Sequence, residues 1–322
     1  MHPDERGSEM KVLVAGATGA MGKQLLPLLA AQGHDVVGIT RSREKLDVVH
    51  ELGARGIVAD VLDPDQVARA VAEAEPEAIV HELTALSGDL DIRHFDRTFA
   101  VTNRLRTEAT DHLLAAGRAT GVRRFIAQSF AGWPFARTGG PVKSEDDPLD
   151  PEPAGAMRES FDAIRHLEDA VTGADWLAGL VLRYGGFYGP GTGLGPDGDQ
   201  VEMLRERKFP VVGDGAGVWS FIHIADAAEA TAAAVTRGRA GIYNIVDDDP
   251  APVAEWLPAA ASAVGAPPPR HVPRWLGRIV AGEAAMVMMT EMRGASNEKA
   301  KRELGWQPRH ASWREGFAQV AA

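Results

Sequence analysis

Residues 11–22 read KVLVAGATGAMG, a short apolar run followed by three evenly spaced glycines. The apolar run predicts a buried strand, and the glycines predict a tight turn that opens a helix. Such a turn lets the backbone approach a pyrophosphate, while the helix N-terminus offers free N–H groups and a positive dipole end. The stretch therefore predicts a dinucleotide site, and the alternative is a glycine-rich turn that binds nothing. The expected contacts are Gly16, Thr18, Gly19, Ala20, Met21 and Gly22.

The residues that follow repeat this alternation of apolar runs and helical patterns. Such alternation is typical of a parallel sheet covered by helices on both faces. It predicts an α/β protein with a doubly wound parallel sheet, the Rossmann fold. The predicted strands are residues 11–15, 35–40, 56–59, 78–82, 124–128 and 179–183, and the predicted helices are residues 20–32, 43–52, 64–74, 99–120 and 157–172.

The amino-acid composition changes after Tyr188, where a run rich in glycine and proline begins. Such a run indicates a loop or a domain boundary. We therefore expect a dinucleotide-binding domain over residues 1–188 and a smaller, mostly C-terminal substrate-binding domain over residues 189–322. Residues 220–244 are expected to return and pack on the first domain.

The composition of the 322 residues excludes several classes of protein. An apolar content of 45% and a charged content of 25% are typical of an ordinary globular chain. The net charge of -11 disfavours nucleic acid and anionic membranes as partners. Because the chain has no cysteine, thiolate zinc sites and a cysteine nucleophile are excluded, and no metal site is expected. The polar N-terminus and the charges within residues 275–292 predict neither a signal peptide nor a membrane span, so we expect a cytoplasmic protein.

The end of the second strand indicates which nucleotide is bound. At this position an acidic residue hydrogen-bonds a ribose 2′-hydroxyl, whereas a basic residue binds a 2′-phosphate. The chain has no carboxylate there and instead has Arg41 and Arg43. We therefore predict NADP(H) as the cofactor, with solvated arginines as the alternative. Asp60, after the third strand, is expected either at the adenine edge or as a turn residue, and Val61 and Leu83 complete the predicted cofactor contacts.

A series of motifs continues from the glycine loop to the C-terminus. They are Ile79-Val80-His81, Asn103, Ser129, Leu182-Arg183-Tyr184, Tyr188-Gly189-Pro190, Gly213-Asp214-Gly215, residues 221–226, Tyr243-Asn244 and residues 304–308. With the spacing of the three glycines, this series resembles the extended branch of the short-chain dehydrogenase/reductase superfamily, the NAD-dependent epimerase/dehydratase-like proteins. The resemblance covers nearly the whole chain. It implies a small-molecule substrate and a homodimer formed through residues 99–120 and 157–172.

Members of that family use a tyrosine as acid/base, a lysine four residues later and a serine that orients the substrate oxygen. On this spacing Phe161 occupies the tyrosine position and Arg165 the lysine position. Phenylalanine carries no exchangeable proton, and a guanidinium stays protonated at neutral pH. The resemblance assigns the substrate-orienting role to Ser129, and it assigns to Arg165 a place in the cleft that holds the cofactor.

Another group must then exchange the proton if the reaction needs one. Glu82, at the end of the fourth strand, is our first candidate, because burial raises the pKa of a carboxyl toward neutrality. The alternative is a glutamate that faces solvent or pairs with an arginine. Tyr184 is the second candidate, and the others are Tyr188, His166 and His223.

These residues together predict an atypical NADP-dependent oxidoreductase or epimerase-like enzyme that acts on a small, partly apolar hydroxy or keto compound. Trp133, Pro134, Phe135 and Trp219, with the methionines of residues 286–292, favour an apolar pocket. Two alternatives remain: a non-redox lyase, cyclase or isomerase on the same fold, and a non-catalytic NADP-sensing protein.

Overall fold

The computed structural model describes residues 9–86 and 91–320, so the first eight residues of the polar N-terminus lie outside the described residues. The strands are β1 Lys11–Ala15, β2 Asp35–Thr40, β3 Arg55–Val58, β4 Ala78–His81, β5 Arg124–Phe130, β6 Val142–Lys143, β7 Ala178–Tyr184, β8 Gly186–Tyr188, β9 Val211–Val212, β10 Val218–Trp219, β11 Phe221–His223, β12 Gly241–Ile245, β13 Ala251–Pro252, β14 His271–Val272 and β15 Gly294–Ala295. The helices are α1 Ala20–Ala31, α2 Leu46–Glu51, α3 Pro64–Ala74, α4 Phe95–Arg104, α5 Thr110–Thr120, α6 Arg158–Thr172, α7 Asp199–Arg205, α8 Ile224–Thr236, α9 Val253–Ala263, α10 Arg274–Thr290, α11 Glu298–Leu304 and α12 Trp313–Val320.

Seven strands form one sheet in the order β12-β7-β5-β4-β1-β2-β3. Every neighbouring pair in this sheet is parallel. The chain winds outward from β1 through β2 to β3 and then returns to β4 on the other side of β1. The predicted doubly wound sheet is therefore confirmed. Ligands of such sheets bind outside the carboxyl ends of the strands where the order reverses, which here are β1 and β4.

Successive side chains of each strand point to opposite faces of the sheet, so the core around the sheet consists of two layers. In β1, Val12 packs in the layer of α1 and α8, whereas Leu13 packs in the layer of α3 and α5. The same alternation separates two consecutive residues at the end of β4. His81 contacts Phe125 on the α3–α5 side, and Glu82 contacts a residue of the α1–α8 layer.

The predicted helix over residues 99–120 is two helices in the structure. A wide π-helical turn, Leu105–Ala109, separates α4 from α5, and α4 begins at Phe95. The turn includes Arg106, which is only 7% exposed. Because no glycine or proline marks this turn, periodicity alone does not reveal it.

A second core lies beyond the sheet and contains many aromatic and methionine side chains, including the fully buried Trp256 and Trp313. The chain returns from it to the sheet, where α8 packs on α1 and β12 pairs with β7 at the sheet edge. Within residues 9–86 and 91–320, no helix combines the length and the apolar character that crossing a bilayer requires.

Candidate functional site

The loop between β1 and α1 has a backbone that only glycine fits. Gly16 has a φ of 101°, and a Cβ there would lie 2.6 Å from the carbonyl oxygen of Glu82. A Cβ on Gly22 would lie 2.4 Å from the carbonyl oxygen of Gly16. No described side chain caps α1 at Gly19, so its first N–H groups are open to an anion. The other predicted contacts in this loop and first turn are Thr18, Ala20 and Met21.

Two arginines follow the end of β2. Arg41 and Arg43 are exposed, and neither side chain forms an ion pair or hydrogen bond with another described residue. Asp60 is also exposed, and its Oδ1 accepts a hydrogen bond from Leu62 N at 3.0 Å. The arginines therefore remain available to a 2′-phosphate, and the choice of NADP(H) stays a prediction. The other predicted cofactor contacts are the buried Val61 and the half-buried Leu83.

Glu82 is buried beneath the glycine loop, on the α1–α8 side of the sheet. It is 5% exposed, and burial raises its pKa from 4.5 to about 8. Its Oε1 lies 3.0 Å from the hydroxyl oxygen of Tyr184, which lies 2.6 Å from Oγ1 of Thr231. Thr231 donates in turn to the carbonyl oxygen of Ala227 at 2.7 Å. Oε2 of Glu82 is buried and has no partner among the described residues.

The three contacts of this chain need three hydrogens, and its two hydroxyls supply only two. The third hydrogen is present only when Glu82 is protonated. Glu82 then donates to Tyr184, Tyr184 to Thr231, and Thr231 to the backbone carbonyl. Burial also raises the pKa of Tyr184 well above its usual value, and the adjacent Glu82 adds to this effect. The arrangement thus favours a neutral carboxyl and a neutral phenol, so neither group is poised to act as a base at neutral pH.

Ser129 lies on the opposite face of the sheet and is bound to a buried ion pair. Its hydroxyl donates to Oε1 of Glu168 at 2.7 Å. Nε and Nη2 of Arg183 donate to the two oxygens of the same carboxylate, at 2.8 and 2.5 Å. Arg183 and Glu168 are each 3% exposed, so water does not screen the pair. The hydroxyl predicted to orient the substrate is thus engaged elsewhere. Sequence reasoning missed this pair, although a charge inside each of two apolar patterns was a signal for it.

The two positions of α6 that were expected to share the cleft differ in burial, although the guanidinium of Arg165 lies 5.9 Å from the centroid of the Phe161 ring. Phe161 is 2% exposed and packs in the second core. The side chain of Arg165 is 57% exposed and pairs with Asp162 at 3.1 Å. The buried side of α6 includes Phe161 but not Arg165, and its members are Ser160, Phe161, Ala163, Ile164, Leu167, Glu168 and Val171. α6 contains neither tyrosine nor lysine, so no acid/base pair of that kind is present on it.

Ser160 belongs to a buried polar cluster at the start of α6 that sequence reasoning also missed. Its hydroxyl donates to Oδ1 of Asp96 at 2.7 Å and accepts from Nδ2 of Asn103 at 3.1 Å. The backbone N–H groups of Glu159 and Ser160 donate to the same Asp96 carboxylate, which thereby caps α6. Oδ1 of Asn103 is buried and has no described partner. The hydroxyl and the carboxylate are both committed to holding the helix end.

Of the remaining candidates for proton transfer, Tyr188 and His223 are in contact, with ring centroids 5.2 Å apart, whereas His166 lies elsewhere. Tyr188 is fully buried, and burial raises the pKa of its phenol far above the usual value. His166 lies on the exposed side of α6, with Nε2 at 2.8 Å from Oδ1 of Asp111. Burial lowers the pKa of His223. The structure therefore pairs Glu82 with Tyr184 and Tyr188 with His223, whereas Ser129 and His166 are bound to Glu168 and Asp111.

His223, Asp226 and His310 each bring one possible ligand atom within 4.8 Å of the others. Their contacts nevertheless serve to join two segments of the chain. Oδ2 of Asp226 accepts from the backbone N and the Nδ1 of His310, both at 2.9 Å. The two imidazole rings stack with centroids 3.9 Å apart and planes within 23° of parallel, so their in-plane lone pairs do not converge on one ion. The cluster ties the C-terminal segment to α8.

Four aromatic side chains, which we call the aromatic wall, meet where the sheet joins the second core. Phe130 is the last residue of β5, and Trp133 lies in the turn that follows it. Phe95 and Phe99 come from α4. Phe161 packs in the same core as these four residues.

Comparison with known proteins adds four findings. The family model described as NAD dependent epimerase/dehydratase family matches residues 12–246. A 3-diazoavenalumate denitrifying reductase from a Streptomyces species is 45% identical over 315 residues, which cover 96% of this chain and 100% of the relative. A UDP-glucose 4-epimerase from Corynebacterium glutamicum is 30% identical over 336 residues, covering 95% and 93%. Among solved structures, UDP-glucose 4-epimerase from Thermus thermophilus in complex with NAD matches with a TM-score of 0.71 at 24% identity, covering 96% and 97%.

Proposed function

Since this chain belongs to the NAD dependent epimerase/dehydratase family, we propose that it is an NADPH-dependent reductase that removes dinitrogen from a diazo compound. The Streptomyces relative supports this proposal, because it is named as a denitrifying reductase of a diazo compound and matches along its whole length. The proposed substrate differs from the hydroxy or keto compound expected from the sequence. The difference follows from the chemistry that α6 lacks.

The absence of a tyrosine–lysine pair from α6, where Phe161 and Arg165 stand at those positions, is the observation that carries the proposal. Hydride transfer to a ketone leaves an alkoxide, which an enzymic acid normally protonates. When bound, NADPH supplies the hydride, and R–N₂⁺ with NADPH gives R–H, N₂ and NADP⁺. In that replacement the C–N bond breaks and its electron pair leaves with dinitrogen, so no alkoxide forms. An apolar side chain such as that of Phe161 is then sufficient.

The residues present fit the two remaining tasks, which are to bind NADPH and to exclude water. The turn around Gly16 and Gly22 is too tight for any other residue, because a Cβ at either position would clash with a backbone oxygen, and such a turn lets the backbone approach a pyrophosphate. Arg41 carries the charge that distinguishes a 2′-phosphate from a hydroxyl. The partly exposed Phe130, backed by the buried rings of the aromatic wall and by Phe161, would exclude the water that competes with hydride for a diazonium carbon.

The test is a single-turnover reaction of the purified protein with NADPH deuterated at C4 and a stable aryl diazonium salt. We expect loss of nicotinamide absorbance, one equivalent of dinitrogen, and deuterium on the carbon that lost nitrogen. A β-keto ester and UDP-glucose serve as comparison substrates and should not react. A reaction with the keto ester but not with the diazonium salt would overturn the proposal.

The spontaneous reaction between NADPH and the salt is controlled with a matched pair of glycine variants. Gly16→Ala places a Cβ 2.6 Å from a backbone oxygen and should abolish the enzymic rate, whereas the Cβ of Gly140→Ala meets its nearest atom at 3.8 Å and should not. Equal rates for both variants would mean that the dinucleotide loop takes no part. Turnover at constant nicotinamide absorbance would favour a lyase or isomerase, and tight NADPH binding without turnover of any probe would favour a sensor.

A further inference from the structure

The aromatic wall is a continuous set of ring contacts. The rings of Phe95 and Phe99 stack with centroids 4.3 Å apart. Phe95 meets Trp133 edge to face at 5.3 Å, and Trp133 lies 6.3 Å from Phe130 with planes 28° apart. Phe130 remains partly exposed at the carboxyl end of β5, the strand next to β4. The wall therefore reaches the edge of the sheet where the nucleotide loop begins.

The turn after β5 is built to hold these rings in place. Gly132 has a φ of 149°, and a Cβ there would lie 2.3 Å from Cε of Met292 and 2.9 Å from Cε1 of Phe130. Only glycine lets these two side chains approach. Phe135 N donates to the carbonyl oxygen of Gly132 at 3.0 Å and closes the turn around Trp133. The position of the indole is thus fixed before any ligand arrives.

The indole N–H of Trp133 is neither paired with a described residue nor enclosed, whereas Nε1 of the buried Trp256 is enclosed and has no described partner. Trp219, Trp306 and Trp313 each donate Nε1–H to a backbone carbonyl oxygen, at 2.8, 3.0 and 2.7 Å. Trp133 is equally buried, at 6% exposed, but its Nε1 donates to no described residue and is not among the enclosed unpaired atoms. A buried indole normally finds a partner for its N–H. This N–H is therefore free to donate to a ligand.

We infer that Phe130 and the accessible edge of Trp133, backed by the buried Phe95 and Phe99, bind an aryl ring of the substrate and that Nε1–H of Trp133 donates to an oxygen substituent on that ring. The inference rests on the proposed function and narrows its substrate to an oxygen-bearing aryl diazo compound. Aromatic faces and edges bind a planar ring, and a ring face attracts a diazonium cation. A single donor in an apolar pocket discriminates strongly, because a ligand without the matching acceptor leaves the donor unpaired.

The experiment compares para-ethylphenol with ethylbenzene, which differ only in the hydroxyl. Binding of each to the protein saturated with NADP⁺ is measured by calorimetry. We expect the wild type to bind the phenol about tenfold more tightly. Trp133→Phe keeps the ring and removes the N–H, so it should bind both ligands alike, with the affinity for ethylbenzene unchanged. Trp219→Phe, whose indole is satisfied within the same core, should keep the tenfold preference.

A preference that survives Trp133→Phe, or an equal loss of both ligands in that variant, would overturn the inference. A readout without any variant is the indole ¹⁵N–¹H resonance of Trp133, which should shift with the phenol and not with ethylbenzene. The two proposals fail separately. Reduction of the diazonium salt without a role for Trp133 contradicts only this inference, whereas phenol binding through Trp133 without reduction contradicts only the proposed function.

Discussion

Replacement of Glu82 by glutamine is expected to stabilise the protein, and to do so increasingly as the pH rises. In the unfolded chain a glutamate ionises near pH 4.5, whereas in the folded protein the pKa of Glu82 is about 8. Between these values the folded protein holds a proton that the unfolded chain has released, so stability falls with rising pH. The contribution of the neutral carboxyl is complete below pH 4.5 and is lost as the pH passes through about 8.

The size of the effect follows from the width of this window. Each pH unit within this window lowers the free energy of unfolding of the wild type by about 1.4 kcal/mol. The loss reaches about 3 kcal/mol at pH 7 and about 5 kcal/mol above pH 8. Glutamine is neutral throughout, and its amide donates to Tyr184 as the protonated carboxyl does. The free energy of unfolding of Glu82→Gln should therefore equal that of the wild type near pH 4.5 and exceed it by up to about 3 kcal/mol at pH 7.

Urea unfolding of both proteins, followed by circular dichroism between about pH 5 and pH 9, measures this difference. Contributions from other titrating groups are common to both proteins and cancel. The matched control is Glu51→Gln, because Glu51 is exposed on α2 and its side chain has no ion pair or hydrogen bond within the described residues, so this change should have little effect on unfolding. A difference for Glu82→Gln that stays flat, or that favours the wild type at alkaline pH, would refute the neutral carboxyl.

The remaining predictions concern the nucleotide, α6 and assembly. Arg41→Ala should weaken NADPH binding about tenfold and leave NADH binding unchanged in calorimetric titrations, because the exposed guanidinium forms charge-assisted bonds to a 2′-phosphate; an equal loss for both nucleotides contradicts this. Arg165→Ala should keep nucleotide affinity and turnover within about twofold of the wild type, because exposed ion pairs contribute little; a larger loss would return Arg165 to the site. Phe161→Leu should retain most turnover, and abolished turnover with intact nucleotide binding would give the ring itself a role. Light scattering should show a dimer paired through the groove of about 540 Å³ between α4 and α6, and a monomer mass at micromolar concentration would argue against it.

The dinucleotide loop was predictable because the contacts that require glycine in it are local. Gly16 and Gly22 are required by contacts within the loop and with the adjacent strand end, so their spacing carries the information. The sheet order was equally accessible, because a doubly wound order follows from the alternation of strands and helices. Each of these features depends on residues close in sequence or on a pattern repeated many times.

The catalytic assignments depended instead on the direction in which a side chain points. Glu82 follows His81 by one residue, and one residue along a strand changes the face of the sheet. Spacing alone therefore did not reveal that the carboxyl of Glu82 lies on the side opposite Ser129. On α6 one residue is a rotation of about 100°, which turns Arg165 to solvent and Ile164 inward. Periodicity identified the buried stripe, but the exact phase depends on packing against α4 and the sheet.

The proposed reaction also accounts for which nucleophiles the chain lacks. Aryl diazonium ions couple with thiolates, phenolates, amines and imidazoles, so a protein that binds one risks modifying itself, and of these groups the chain keeps ten imidazoles. The chain has no cysteine and only three tyrosines. Burial raises the pKa of all three phenols, Tyr184, Tyr188 and Tyr243, so they stay protonated at neutral pH. The substitutions that remove tyrosine and lysine from α6 therefore remove two coupling partners as well as the acid/base pair. A ketone reductase would gain nothing from losing the acid/base pair or the coupling partners. A diazo reductase would tolerate the loss of the acid/base pair and benefit from the loss of the coupling partners.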